Sequence, residues 1–220
     1  MDTFAIKGNL IHAPVLGDIE IILSGLLEVG DDGNISSLMS SDDQEFAARE
    51  EYYEGQNNLL KLSESEYLLP GLIDTHVHAP QWPQLGKALH LPLNEWLREH
   101  TFPLEARYAD IAFAEAVYTS LVETLIANGT TTALYFGTIH IEATKRLVDI
   151  CLHMGQRALV GKVVMDNQDQ CPAFYRDRST TAGLDETYEL IEYVSSANEN
   201  MNNRVLPVLT PRFIPSCTDE

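Results

Sequence analysis

The sequence predicts an α/β fold: a partial (β/α)8 TIM barrel of about four β/α units, preceded by a small β-sandwich-like segment. Three observations carry this expectation. From Tyr67 onward, short apolar runs rich in β-branched residues alternate with longer segments of helical periodicity. Before Tyr67 the chain reads as strands and turns. The later part holds only four strand signals and falls well short of the eight strands and roughly 250 residues of a closed barrel. The alternatives at this point are half a barrel or a small open sheet. We set the division at 1–66 for the β-rich flanking segment and 67–220 for the barrel part.

In the first segment, FAIKGNLIHA and IEIILSGLLEVG are β-rich, and GDDGN supplies a turn. The acidic stretch SDDQEFAAREEYYEGQNN reads as a surface loop or a short exposed helix. In the second segment, YLLPGLIDTHV predicts a buried strand and LPLNEWLREHTF a short amphipathic helix. YADIAFAEAVYTSLVETLIANG predicts a long helix ended by Asn128 and Gly129. TTTALYFGT follows as a strand, EATKRLVDICLHMG as a helix ending at Gly155, and RALVGKVVM as a strand. GLDETYELIEYVSSANEN predicts a helix starting near Asp185, and RVLPVLTPRF a last strand. Strands of this kind, joined by helices, pair in parallel and are buried on both faces.

Composition excludes several functions. Of 220 residues, 45% are hydrophobic and 21% charged, and the formal charge is −19 with only 14 Lys and Arg. Nucleic acids and anionic membranes require clustered cations, so neither is an expected partner. No run reaches the ~18 apolar residues of a membrane helix. Cys151, Cys171 and Cys217 show no metal-ribbon spacing and read as reduced thiols, so the expected location is cytoplasmic.

The residues that invite chemistry are His76 and His78 in LLPGLIDTHVHAPQW. Residues i and i+2 of a strand share a face, so both imidazoles can reach one divalent ion at the strand's carboxyl end. Asp74 shares that face by parity or holds the turn. A bare HxH equally caps a strand by hydrogen bonds.

The stretch LLPGLIDTHVHAPQW resembles the first barrel strand of the metal-dependent amidohydrolases. LPLNEWLREHTFPLEARY, NGTTTALYFGTIH, GQRALVGKVVMDNQDQCP and VLTPRF narrow the resemblance to the guanine deaminase family. The resemblance implies that His76 and His78 are zinc ligands and that His78, Ala79, Pro80, Gln81 and Trp82 line a purine pocket with Arg212 and Phe213. Taken alone, Arg212 reads equally as an ion-pair residue and Phe213 as a core aromatic, and Trp82 as a pocket wall or a packing residue. The implied reaction converts guanine and water to xanthine and ammonia. A homodimer is expected of a complete family member. The proton-shuttling glutamate and the remaining metal ligands are expected beyond residue 220, so no catalytic residue is assigned within the chain and the chain alone is expected to be inactive or nearly so. Other readings are an amidohydrolase acting on a different aromatic ring, and a non-catalytic half-barrel that pairs with a full-length partner.

Overall fold

The structure is a computed structural model and describes residues 3–197 and 202–219. It forms two compact units that meet in sequence between Pro70 and Gly71.

The first unit is a mixed sheet of β1 (Phe4–His12), β2 (Glu20–Val29), β3 (Ile35–Met39), β4 (Leu59–Lys61) and β5 (Tyr67–Leu68). The order is β3-β2-β1-β4, with β5 also on β1. β1–β2 and β2–β3 are antiparallel, and β4 and β5 run parallel to β1. Among the described residues this is one sheet, not the two facing layers of the expected sandwich. Its apolar face is covered instead by α1 (Phe46–Gly55), the stretch left open between loop and exposed helix. Phe46 and Tyr53 of α1 are buried with Ala5 and Leu26, so this helix closes the unit's core. Burying two aromatic side chains there supplies a few kcal/mol of the drive to form the helix.

The second unit holds a four-stranded sheet of β6 (Leu72–His78), β7 (Thr130–Phe136), β8 (Arg157–Gly161) and β10 (Val205–Pro207), in the order β10-β8-β7-β6 and all parallel. The connecting helices are α4 (Ile111–Ala127), α5 (Ile141–Met154) and α6 (Thr180–Ala197). They stand side by side over the sheet, α4 against α5 and α5 against α6. Tyr118, Leu121, Ala133, Tyr135, Leu147, Val160, Leu190 and Val205 fill the core between these layers. Local signals set the helix ends. Asp110 caps α4 by accepting from the N–H of Ala112 (2.9 Å), and Gly155 ends α5 with φ 77°. Among the described residues no helix is long and apolar enough to cross a membrane.

Four expectations change. β6 is not buried: Leu72 and Ile73 are 61% and 68% exposed, because among the described residues β6 is an edge strand paired with β7 alone. The third strand breaks at Lys162 into β8 and β9 (Val163–Val164), and the last breaks into β10 and β11 (Thr210–Pro211). At the break the Lys162 carbonyl accepts from the Thr210 hydroxyl (2.8 Å), while its ammonium is buried against Asp177 (2.6 Å) and Glu186 (3.2 Å). The short helix after β6 extends as α2 (Leu93–Trp96), a wider turn at Leu97–Thr101, and α3 (Phe102–Ala106). Pro103 supplies no N–H to the regular ladder, and the wider turn absorbs that loss. Finally, α6 begins at Thr180, ahead of Asp185, because Ser179 caps it by accepting from the N–H of Ala182 (3.1 Å). The end of that predicted helix, at residues 198–200, lies outside the described residues.

Candidate active site

β6 brings His76 and His78 to its carboxyl end. The ladder with β7 gains one residue between Asp74 and Val77, and the Asp74 carboxylate accepts the His76 N–H (3.1 Å) across that bulge. Asp74 therefore holds the backbone that presents the histidines. The two imidazoles stand edge to face with centroids 5.1 Å apart. Phe136, opposite His78 at the end of β7, lies against both rings, 4.6 Å from His76 and 4.8 Å from His78. Burial pushes the His78 imidazole down to about 4, and the charge of Arg212 and the neighbouring His76 push the same way. His78 is therefore neutral at physiological pH, the state in which imidazole binds metal. Its Nδ1 is enclosed with no hydrogen-bond partner among the described residues.

A polar cluster sits beside this pair. Gln81 lies in the 3-10 turn Ala79–Gln84 after β6, and Arg212 directly follows β11. Both meet Glu105 of α3. Gln81 Nε2 donates to Glu105 Oε1 (3.0 Å), Arg212 Nη2 donates to the same oxygen (3.0 Å), and Arg212 Nη1 donates to Oε2. The side chains of Glu105 and Arg212 are 0% and 2% exposed. Burial works against the Arg212 charge, but the Glu105 carboxylate outweighs it and raises the guanidinium above its ordinary value. The Phe102 ring lies 5.2 Å from the guanidinium carbon and backs its plane.

Sequence reasoning did not find Glu105. One signal was available: Leu97, Thr101 and Glu105 are spaced by four, so the glutamate falls on the inward stripe of its helical segment and needs a buried partner. Phe136 was read only as a strand residue. Glu95 and Glu99, read as exposed, are exposed.

The remaining expected pocket residues divide. Ala79 is fully buried in the core, and the Pro80 carbonyl accepts from the Tyr108 hydroxyl (2.9 Å). Trp82 turns toward α4, donating to Ser120 Oγ (3.3 Å) and packing on the core. The structure does not bring these three to the Glu105 cluster. Phe213 is 41% exposed, its backbone N–H donating to Ser216 Oγ (3.3 Å). His140 directly precedes α5, with its ring 5.9 Å from Tyr175 and its Nε2 enclosed without a hydrogen-bond partner among the described residues; burial lowers its basicity.

Two converging imidazoles fit a divalent ion. Among the described residues no group of three or more His, Cys, Asp or Glu that could hold a metal ion forms around them.

A parallel α/β unit with a histidine pair at one strand's carboxyl end defines the class. The chain belongs to the amidohydrolase family, whose sequence profile matches residues 67–220. It is 40% identical to guanine deaminase of Homo sapiens over 213 residues, covering 97% of this chain and 46% of that protein. It is 38% identical to guanine deaminase of Dictyostelium discoideum, covering 97% of this chain and 48% of the relative. The crystal structure of guanine deaminase from C. acetobutylicum, with guanine bound in its active site, superposes with a TM-score of 0.85 at 32% identity, over 99% of this chain and 48% of that one. The chain thus spans about half the length of the relatives it matches.

Proposed function

We propose that the second unit is the first half of a (β/α)8 barrel and forms part of a zinc-dependent guanine deaminase centre, in which guanine and water give xanthine and ammonia. The observation that carries this reading is the meeting of Gln81 and Arg212 on one buried glutamate, beside two converging histidines. That meeting supports reading Gln81 and Arg212 as groups that hold a purine beside a metal-binding pair. Metal dependence is general in the amidohydrolase family.

In this reading His76 and His78 hold the ion, and Phe136 keeps their rings in place. Zinc, when bound, lowers the pKa of water toward about 7 and so supplies an activated water at neutral pH. Gln81 and Arg212 hold the purine by its polar edge, and Phe213 offers a face for the ring. Holding the base fixed is their contribution to rate, since orientation removes entropy from the barrier. The amino-bearing carbon gains oxygen and loses ammonia, and a carboxylate outside the set described must carry the proton.

A zinc titration and a guanine assay on the chain test this. We expect zinc held weakly and lost in His76→Ala and His78→Ala, with little or no xanthine formed by the chain alone. In a polypeptide of the relatives' length carrying residues 1–220, guanine turnover is expected. Turnover there of another heterocycle and none of guanine would overturn the substrate. Zinc binding unaffected by both histidine variants would overturn the site.

A further inference from the structure

Glu105 has no role in the reading above beyond meeting Gln81 and Arg212, yet it constrains both. A carboxylate only accepts hydrogen bonds, so the end of the Gln81 amide that faces it must be the nitrogen. The structure has that arrangement, with Nε2 on Glu105 Oε1 at 3.0 Å. The Gln81 carbonyl oxygen is then the end left over, and no hydrogen bond among the described residues uses it. Arg212 is fixed by the same carboxylate. Two of its N–H groups are engaged by Glu105, the Phe102 ring backs its plane, and the rest of its donors have no side-chain or backbone acceptor among the described residues.

We infer that Glu105 is the positioning residue that sets the hydrogen-bond polarity of the pocket: it turns Gln81 so that an acceptor faces the ligand and holds Arg212 beside it as a pure donor, which selects a 6-oxopurine edge over a 6-aminopurine edge. This rests on the proposal that the cluster receives a purine. A 6-oxopurine carries a ring N–H donor next to a carbonyl acceptor, which matches the Gln81 oxygen and the Arg212 donors in turn. A 6-aminopurine carries the reverse: a bare ring nitrogen faces the Gln81 oxygen, and an amino group faces the guanidinium. Both contacts then fail, acceptor against acceptor and donor against donor. In a free glutamine either end could turn outward, and only the Arg212 donors would then tell the two edges apart. The carboxylate removes that freedom.

The test is the ratio of affinities for hypoxanthine and adenine, measured by calorimetry on the 220-residue chain with zinc present. In the unaltered chain hypoxanthine is expected to bind roughly ten- to a hundredfold tighter. In Glu105→Gln the new amide can donate to the Gln81 oxygen, the Gln81 amide is free to turn, and the ratio is expected to fall about threefold or more, to the preference that the Arg212 donors alone retain. Glu105→Asp is expected to recover part of it. Equal weakening of both purines in Glu105→Gln, with the ratio kept, would overturn the inference while leaving the purine site intact. Binding of neither purine by the unaltered chain would remove the purine reading itself, and this inference with it. Should Glu105→Gln not fold, Gln81→Leu answers the same question. It removes the acceptor without touching the ion pair, so the ratio is expected to fall to what the Arg212 donors alone retain; an unchanged ratio would overturn the inference.

Discussion

Arg212 and Glu105, 107 residues apart in the chain, form a two-pronged ion pair closed off from solvent on both sides. Taking two charges out of water is expensive, and their mutual attraction offsets that expense only while both are present.

Removing one partner is therefore worse than removing both. Glu105→Gln leaves the guanidinium buried without a counter-charge, and the second unit is expected to lose about 3–5 kcal/mol in urea unfolding. The double variant Glu105→Met with Arg212→Met leaves no orphaned charge. It is expected to lose much less, within about 1–2 kcal/mol of the unaltered chain. Equal losses in the two variants would show that packing, and not charge balance, sets the stability there.

Phe136 backs both His76 and His78. Truncating a half-buried phenylalanine to alanine is expected to lower stability by about 2 kcal/mol, below the full core value. It also frees two rings that must converge, so zinc affinity measured by chelator competition is expected to fall about tenfold. Phe136→Leu keeps the bulk and is expected to recover most of the stability but less of the affinity. Zinc affinity unchanged in Phe136→Ala would leave Phe136 as a packing residue only.

Gly161 ends β8 where the chain of β10 and β11 crosses it. A Cβ there would stand 2.3 Å from Thr210 Oγ1 and 2.5 Å from the Val208 carbonyl. Neither can yield, because the Thr210 hydroxyl donates to the Lys162 carbonyl and the Val208 N–H donates to the Val160 carbonyl (3.1 Å). Gly161→Ala is expected to destabilise by about 1–3 kcal/mol and to weaken purine binding through a displaced Arg212. Differential scanning calorimetry and the hypoxanthine titration report the two effects separately.

Cys151 is fully buried in α5, and burial alone pushes its thiol up to about 12 from an ordinary value of 9.0. The folded state therefore favours the neutral thiol, and unfolding releases a more acidic one. That contribution is fully present below pH 9, is lost as pH rises from there through about 12, and is absent in Cys151→Ala. The difference in urea stability between the two chains is expected to shift in favour of Cys151→Ala across that window. At pH 8 iodoacetamide is expected to modify the half-buried Cys217 in the folded chain and Cys151 only after unfolding. Prompt labelling of Cys151 without denaturant would contradict its enclosure.

The alternation of apolar runs with helical segments made the parallel sheet legible, because β-branched strands such as TTTALYF and capped helices such as the one begun by Asp110 announce themselves locally. The histidine pair was legible for the same reason. What escaped was long-range. Lys162 interrupts a β-branched run, and only its partners Asp177, buried, and Glu186, partly exposed, turn that interruption into a break between two strands. Glu105 looks like any helical glutamate until Arg212 arrives from the far end of the unit. Phe46 and Tyr53 sit among acidic and amide neighbours whose character masked a helix with a buried face.

The strand order β10-β8-β7-β6 has one more implication, for synthesis. Each strand of the sheet lies beside the strand of that sheet made just before it, so each ladder can close once its second strand and the crossover helix before it have left the ribosome. The exception is the pairing that joins Arg212 to Glu105. The histidine pair can be in place before Arg212 is made, so the cluster of Gln81, Glu105 and Arg212 closes later than the pair beside it.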